Sequence, residues 1–137
     1  MRTVHVEPPS FPEVEPDALL DVKPDKQWQV VCGDADHWRA GVYSPAQTGP
    51  ADLDELEVHT CPELFLLIEG NITLLLALDG EVEQLLLEPG KPILVTAPHA
   101  GFCPDGPHTG RAFIVERDVF STEYRAPDEW MLSTRPG

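Results

Sequence analysis

Apolar segments of four to eight residues recur between short polar turns along most of the chain. They occupy residues 27–32, 38–43, 53–60, 64–69, 72–78, 82–87, 93–96, 111–116 and 119–124. Segments of this length that are bounded by turn residues are typical of β-strands, and none is long enough to require a helix. The pattern therefore predicts an all-β fold in which these segments are the strands of an antiparallel barrel or jelly roll.

Two local features indicate how the strands pair. Asp79 and Gly80 form a two-residue loop between segments 72–78 and 82–87, and an Asp-Gly loop of this kind accepts positive φ at both positions. We therefore expect a tight hairpin there. Segments 64–68 and 74–78 are apolar at consecutive positions, which predicts strands that are covered on both faces.

The two ends of the chain differ from its middle. Residues 1–26 are rich in proline, which removes backbone donors and disfavours a long helix: Pro8, Pro9, Pro12, Pro16 and Pro24. We expect an extended arm over 1–26, a single barrel domain over 27–126 and a tail over 127–137. The sequence leaves open whether the arm lies along its own barrel or along that of a partner subunit.

Charge and cysteine content exclude several classes of partner. The chain of 137 residues has 24 acidic and 9 basic residues, a formal net charge of −15, and its basic residues are scattered. This predicts no binding to nucleic acid or to anionic membranes. The three cysteines are an odd number, the first five residues have no apolar signal core, and no apolar run could span a bilayer. We therefore expect a cytoplasmic protein with reduced thiols.

Candidate metal ligands precede the apolar segment 64–68. Glu57, His59, Cys61 and Glu63 alternate along the chain, so a straight strand would place all four on one face. Pro62 bends the path and makes that parity approximate. Imidazole and carboxylate ligands suit Fe, Mn, Ni, Cu or Zn, so these residues predict a site for a divalent metal ion.

The spacing of these residues resembles the first motif of the cupin family of small β-barrels. That motif reads His-x-His, three or four residues, Glu, six residues, Gly, and here His59, Glu63 and Gly70 match it. The first histidine of the motif falls on Glu57. The resemblance implies a cupin-like barrel in which His59 and Glu63 bind a metal, with Glu57 as a substitute ligand.

The second motif of that family contains Gly, five residues, Pro-x-Gly, two residues and a metal-binding His. The chain offers Gly90 and Pro98, but the histidine position falls two residues after His99 and two residues before Cys103. His108 is a more distant alternative. We favour His99, so the ligand set that the resemblance implies is His59, Glu63, His99 and Glu57.

Several roles follow from this resemblance. It implies a metal-dependent enzyme of the dioxygenase, isomerase or lyase class that acts on a small organic substrate, and it implies a homodimer formed through sheet edges and arms. The alternative is a non-catalytic ligand-binding barrel with a degenerate metal site. Cys61 and Cys103 could be soft ligands or a redox pair, although small buried cysteines more often belong to the core.

Overall fold

The computed structural model describes residues 1–6 and 14–134 of the chain. The elements in these residues are eleven strands, one short 3-10 helix (Pro50–Asp52) and one α-helix. They are β1 (Arg2–Val6), β2 (Trp28–Asp34), β3 (Trp38–Tyr43), β4 (Leu56–His59), β5 (Glu63–Glu69), β6 (Thr73–Leu78), β7 (Glu81–Leu86), β8 (Ile93–Val95), β9 (His99–Phe102), β10 (Arg111–Arg117), β11 (Phe120–Arg125) and α1 (Pro127–Thr134).

The strands form two sheets that enclose the interior. The first sheet has the order β1-β11-β4-β9-β6-β7, and the second has the order β2-β3-β10-β5-β8. All the strand pairs within both sheets are antiparallel. This architecture confirms the predicted all-β antiparallel barrel, and it places β4 and β9 side by side in the first sheet.

Every predicted strand segment contains an observed strand, but the structure adds elements that the pattern does not indicate. Strand β9 lies over a segment of histidine, alanine, glycine and phenylalanine, which carries little strand preference. Strand β1 lies within the predicted arm and pairs with β11 of its own barrel. Residues 7–13 of that arm lie outside the described residues. The boundaries of the arm, barrel and tail stay predictions.

The main core lies between the two sheets. Buried side chains from both sheets pack there, including Phe65 and Leu67 of β5, Leu74 and Leu76 of β6, and Ile114 of β10. A position facing the interior alternates with an outward position along each strand, which is why β5 contributes every second residue to this core. The inward positions near one end of the same interior are therefore the natural place for a site.

The prediction that both apolar segments are covered on both faces is wrong for β5. In β6, the first five residues are all buried. In β5, Leu64 and Ile68 point outward and are 40% and 54% exposed, next to Leu94 of β8 at 60%. Apolar composition reports which side chains favour burial, but it does not report whether another layer of the fold covers them.

The predicted hairpin between β6 and β7 is confirmed. Asp79 and Gly80 have φ values of 51° and 80°, and Leu78 lies opposite Glu81 in the register. Positive φ at both central positions is the condition under which a two-residue loop follows the twist of the strands.

A short helix in the tail covers one part of the first sheet. Pro127 begins α1, where its missing N–H is not needed, and Asp128 and Glu129 stand in the first turn. The indole of Trp130 is buried and donates a hydrogen bond to the carbonyl oxygen of Leu56 at 2.9 Å. The packing of one tryptophan onto the sheet, rather than a long amphipathic pattern, therefore stabilises this helix. Among residues 1–6 and 14–134, no helix is long and apolar enough to span a bilayer.

Gly70 provides a test of the turn that follows β5. Its φ is +65°, and a Cβ atom there would lie 2.1 Å from the carbonyl oxygen of Thr109. We expect Gly70→Ala to lower the free energy of unfolding by at least about 3 kcal/mol, because a steric clash adds to the strain of the left-handed backbone.

Gly90 is the matched control, with φ of +74° and no atom within 4 Å of the position that a Cβ would occupy. Gly90→Ala should cost only about 1 kcal/mol, the strain of the backbone alone. Urea denaturation of the two variants compares these costs, and equal losses would contradict the steric argument.

Candidate metal centre

The chain passes from one sheet to the other immediately after β4, and this corner forms the site. Glu57 and His59 lie on β4 of the first sheet, whereas Glu63 begins β5 of the second sheet. The backbone N–H of Thr60 donates to the carbonyl oxygen of Ser121 at 2.9 Å and holds the start of the turn against β11. Glu63 therefore approaches His59 from the opposite wall of the barrel.

His99 joins the same cluster through its place in the first sheet. It begins β9 and lies directly opposite Glu57 in the register of β4 and β9. Because directly paired residues of neighbouring strands point to the same side, both side chains face the interior. The four residues that the sequence nominated as metal ligands thus lie at one point of the barrel.

The donor atoms of these four residues are close together. One ligand atom from each of Glu57, His59, Glu63 and His99 lies within 4.8 Å of the others. His99 Nε2 is 3.1 Å from Glu63 Oε1, His59 Nε2 is in contact with the same oxygen, and Glu57 Oε1 is 3.5 Å from His59 Nε2. The side chain of Glu57 is 32% exposed, whereas those of the other three residues are buried.

Two of these donor atoms have no hydrogen-bond partner in the part of the chain that the structure describes. Glu63 Oε1 and His99 Nε2 are both buried and lie 3.1 Å apart, and His59 Nε2 also contacts Glu63 Oε1. These are ion-pair contacts that need a protonated imidazole, so with neutral imidazoles Glu63 Oε1 and His99 Nε2 have no hydrogen-bond partner in the described residues. An unsatisfied buried polar atom is costly, at about 1–3 kcal/mol. Two such atoms that point to one place fit a centre that accepts a cation.

The remaining nitrogen of each imidazole is held by the protein. His59 Nδ1 is 2.6 Å from the hydroxyl oxygen of Thr122, and His99 Nδ1 is 2.9 Å from the carbonyl oxygen of Ala97. A carbonyl oxygen can only accept, so His99 donates from Nδ1 and its Nε2 is left with a lone pair when the ring is neutral. Contacts of this kind orient histidine ligands in metal sites.

Electrostatic coupling between these residues is strong. Burial alone would lower the pKa of His59, but the contacts with Glu57 and Glu63 outweigh burial and raise it to about 10. Burial alone would raise the pKa of Glu63, but His59 and His99 lower it to about 2. The pKa of His99 is raised too, since Glu63 outweighs the effect of burial. Without a metal, His59 therefore keeps its proton at neutral pH.

The cluster opens into a cavity of about 370 Å³. Aromatic and aliphatic side chains line much of it, among them Trp28, Phe65, Ile114 and Phe120. A buried ion pair also lies on its wall, in which Arg39 Nε is 2.8 Å from Glu116 Oε1. Burial and the nearby charge of Glu63 raise the pKa of Glu116 to about 7, despite the opposing effect of Arg39.

The other candidate ligands lie outside this cluster. His108 Nδ1 is 2.7 Å from the carbonyl oxygen of Ser44, in a turn where His108 has a φ of 59°. Cys103 is fully buried and its sulfur accepts a hydrogen bond from the backbone N–H of Gly110, as expected of a core cysteine. Cys61 is buried in the corner between β4 and β5 and does not contribute to the group of four.

Some residues of the site were not predicted from the sequence. Thr122 contacts His59 from a neighbouring strand, and the hydroxyl oxygen of Tyr43 accepts a hydrogen bond from Gly101 N–H at 3.0 Å on the cavity wall. In the sequence, Thr122 and Tyr43 are marked only by their place at alternate positions of predicted strands. Many other residues share that feature, so it does not single these two out. Only the register of the sheets brings them to the cluster.

Comparison with known proteins gives structural matches only. No protein-family model and no curated protein matches the chain. The iron(II) form of HppE has a similar fold, with a TM-score of 0.54 and 17% identity over 80% of this chain and 65% of that one. Hydroxypropylphosphonic acid epoxidase from S. wedmorenis in complex with fosfomycin has a TM-score of 0.51 and 18% identity, over 81% of this chain and 64% of that one. Cobalt(II) HppE in complex with substrate has a TM-score of 0.51 and 18% identity, over 80% of this chain and 63% of that one.

The likeness shows a cupin-like barrel. At identities of 17–18% it establishes the fold and nothing finer, and this chain spans just under two thirds of the length of those proteins. The fold that the first motif implied is therefore present, with Glu57 at the position where that motif has its first histidine.

The raised pKa of His59 predicts how the metal-free protein responds to alkali. A group whose folded pKa exceeds its unfolded value of 6.5 stabilises the fold below that value, and the contribution is lost as pH rises towards 10. Between pH 7.5 and 8.5, after treatment with a chelator, the free energy of unfolding should fall by about 1.3 kcal/mol, close to the limit for one proton per pH unit. Urea denaturation at the two pH values measures this change in the free energy of unfolding.

Two variants test whether His59 causes this fall in the free energy of unfolding. His59→Gln removes the titrating group and should flatten the pH dependence by about one proton, whereas His37→Gln changes an exposed histidine and should leave it unchanged. A wild-type stability that is constant over this interval would contradict the coupling between His59 and the two carboxylates.

Proposed function

We propose that this protein binds one divalent transition-metal ion through His59, Glu63, His99 and Glu57 and uses it as an enzyme on a small organic substrate. The observation that carries the proposal is the convergence of Glu63 Oε1 and His99 Nε2, two buried atoms that have no hydrogen-bond partner in the described residues when the imidazoles are neutral. A cation between them would satisfy both atoms. It would also replace the proton that His59 otherwise holds.

The type of donor supports a metal of the Fe, Mn, Co, Ni, Cu or Zn group. Two imidazoles with one buried carboxylate are the ligands of many iron(II) sites, and Glu57 adds a fourth, more exposed oxygen. A metal bound there would polarise a substrate oxygen or activate water or oxygen. The reaction itself is not specified by these ligands, because cupin-like barrels support many chemistries.

The surrounding residues support binding of a small organic molecule. The cavity beside the cluster has the size of a pocket for such a ligand, and it combines a polar end with apolar walls. Thr122 and Ala97 would fix the two imidazoles, so that His59 and His99 present Nε2 to the cavity in a constant direction. The apolar walls would exclude water from the reacting end.

A second candidate function is a ligand-binding barrel that uses no metal. It is favoured by the direct contact of His59 with Glu63, since protonated imidazoles beside two carboxylates balance the charge of the cluster without an ion. Metal-dependent thermal stabilisation separates the two functions, because only a ligand that binds the folded state raises its melting temperature.

Substitution of the buried ligands tests the metal site. Protein that has been loaded with Fe(II), Mn(II), Co(II), Ni(II) or Zn(II) and then desalted should retain about one ion per chain by elemental analysis. Glu63→Gln and His99→Asn should each lower the affinity for the retained metal at least about tenfold, because the first removes the negative charge of a buried ligand and the second removes the imidazole Nε2. Glu57→Gln should have a smaller effect, since Glu57 is partly exposed.

His37→Asn is the matched control, because it changes an exposed histidine outside the cluster. Loss of metal in that variant, or unchanged binding in His99→Asn, would contradict the assignment. Less than a tenth of an ion per chain in the wild type with all five metals would favour the metal-free barrel.

Thr122 provides a second test of the same centre. Thr122→Val keeps the shape of the side chain but removes the hydroxyl that contacts His59 Nδ1. We expect about a tenfold loss of metal affinity with a normal metal stoichiometry at saturation, because the ring of His59 is no longer oriented. Competition with a chromophoric chelator measures the affinity, and equal values for both proteins would refute a role of Thr122.

A further inference from the structure

The N-terminal strand extends the sheet that carries three of the four cluster residues. Strand β1 pairs with β11 at one edge of the first sheet, and β11 pairs in turn with β4. Val4 lies opposite Thr122, which lies opposite His59, so these three residues form one row across the sheet. Strand β1 is therefore close to the site, and Val4 and Val6 line its cavity.

One face of β1 points into the cavity. Val6 lies opposite Phe120 and Val4 opposite Thr122, and all four of these residues line the cavity that contains the cluster. Arg2 completes the same face, where its guanidinium lies 3.9 Å from the centre of the Tyr124 ring. Alternation along a strand accounts for this, because residues 2, 4 and 6 share a side.

Specific contacts hold β1 in this position. Arg2 forms an ion pair with Glu55 at 3.0 Å, and Ser121 Oγ lies within hydrogen-bond distance of His5 Nδ1. The ion pair of Arg2 fixes the beginning of the strand, and the contact between Ser121 and His5 fixes the strand near its end. Val4 lines the cavity and is 39% exposed.

An apolar surface that is open to a cavity gains free energy when a ligand covers it. The inner wall has a polar end at the cluster and an apolar side that is formed by Val4, Val6 and Phe120. A ligand that fits both would carry an oxygen-rich head and a short carbon chain. The volume of about 370 Å³ limits that chain to a few carbon atoms beyond the head.

We propose that Val4 and Val6 determine specificity: they bind the aliphatic part of a small substrate whose oxygen head lies at the His59, Glu63 and His99 cluster. The substrate class is a short-chain organic acid or hydroxy compound with one apolar end. Only the position of the head depends on the proposed metal function, because the apolar wall is formed without it.

A series of ligands of increasing length tests this inference. Straight-chain alkyl hydroxamates, from two to eight carbons, have one metal-binding head and differ only in their chains. With metal-loaded protein, the affinity measured by calorimetry should rise about threefold for each added methylene up to an optimum length. Val6→Phe fills the wall and should move the optimum to shorter chains, whereas Val6→Ala should move it to longer chains.

Val119 is the matched control, because it is an exposed valine that does not line the cavity. Val119→Phe and Val119→Ala should keep the wild-type optimum. A loss of affinity from a general disturbance of the fold would affect all chain lengths alike, so the shift in the optimum is specific to the wall. The pair Val4→Phe and Val4→Ala repeats the test at the second position if a Val6 variant is unstable.

The outcomes separate this inference from the proposed function. If the protein retains no metal, the proposed function fails, and the same variants are compared with straight-chain alcohols on metal-free protein by ligand-observed NMR. A shift of the optimum in either series supports the role of β1. An optimum that is identical in wild type, Val6→Phe and Val4→Phe, or affinity that does not depend on chain length in the wild type, would overturn it.

Discussion

The site depends on one geometric constraint, the passage of the chain from the first sheet to the second within residues 60–62. This turn separates His59 from Glu63 by a sheet boundary, so the two side chains meet across the interior instead of pointing the same way along one strand. Buried carboxylate and imidazole then stabilise each other's charged forms, which explains why the pKa of Glu63 falls while that of His59 rises.

The barrel around this corner positions the remaining parts of the site by register alone. Pairing of β4 with β9 places His99 opposite Glu57, and pairing of β4 with β11 places Thr122 opposite His59. Rows of this kind continue outward to β1, so β1 becomes part of the wall of the cavity. A small antiparallel barrel therefore recruits residues that are distant in sequence without any special loop.

The cluster also illustrates the conflict between stability and function in a buried site. Two acidic and two basic side chains inside a barrel are costly to desolvate, and an apolar core of the same volume would stabilise the fold at least as well. Their close approach offsets part of that cost in the metal-free protein. Two donor atoms remain without hydrogen bonds in the described residues, and this residual cost is what a bound cation would remove.

The sequence by itself determined the all-β class, nearly all the strands and the Asp79-Gly80 hairpin, because strand periodicity and turn chemistry are local properties. Motif spacing nominated His59, Glu63, His99 and Glu57 as ligands, with Cys103 and His108 as alternatives to His99. Only the tertiary structure decided which of the predicted candidates meet. His99 faces the interior while Cys103 packs in the core and His108 occupies a turn, and Leu64 and Ile68 are exposed despite their composition. Register and the order of strands in a sheet are set by contacts between distant segments, which no local pattern records.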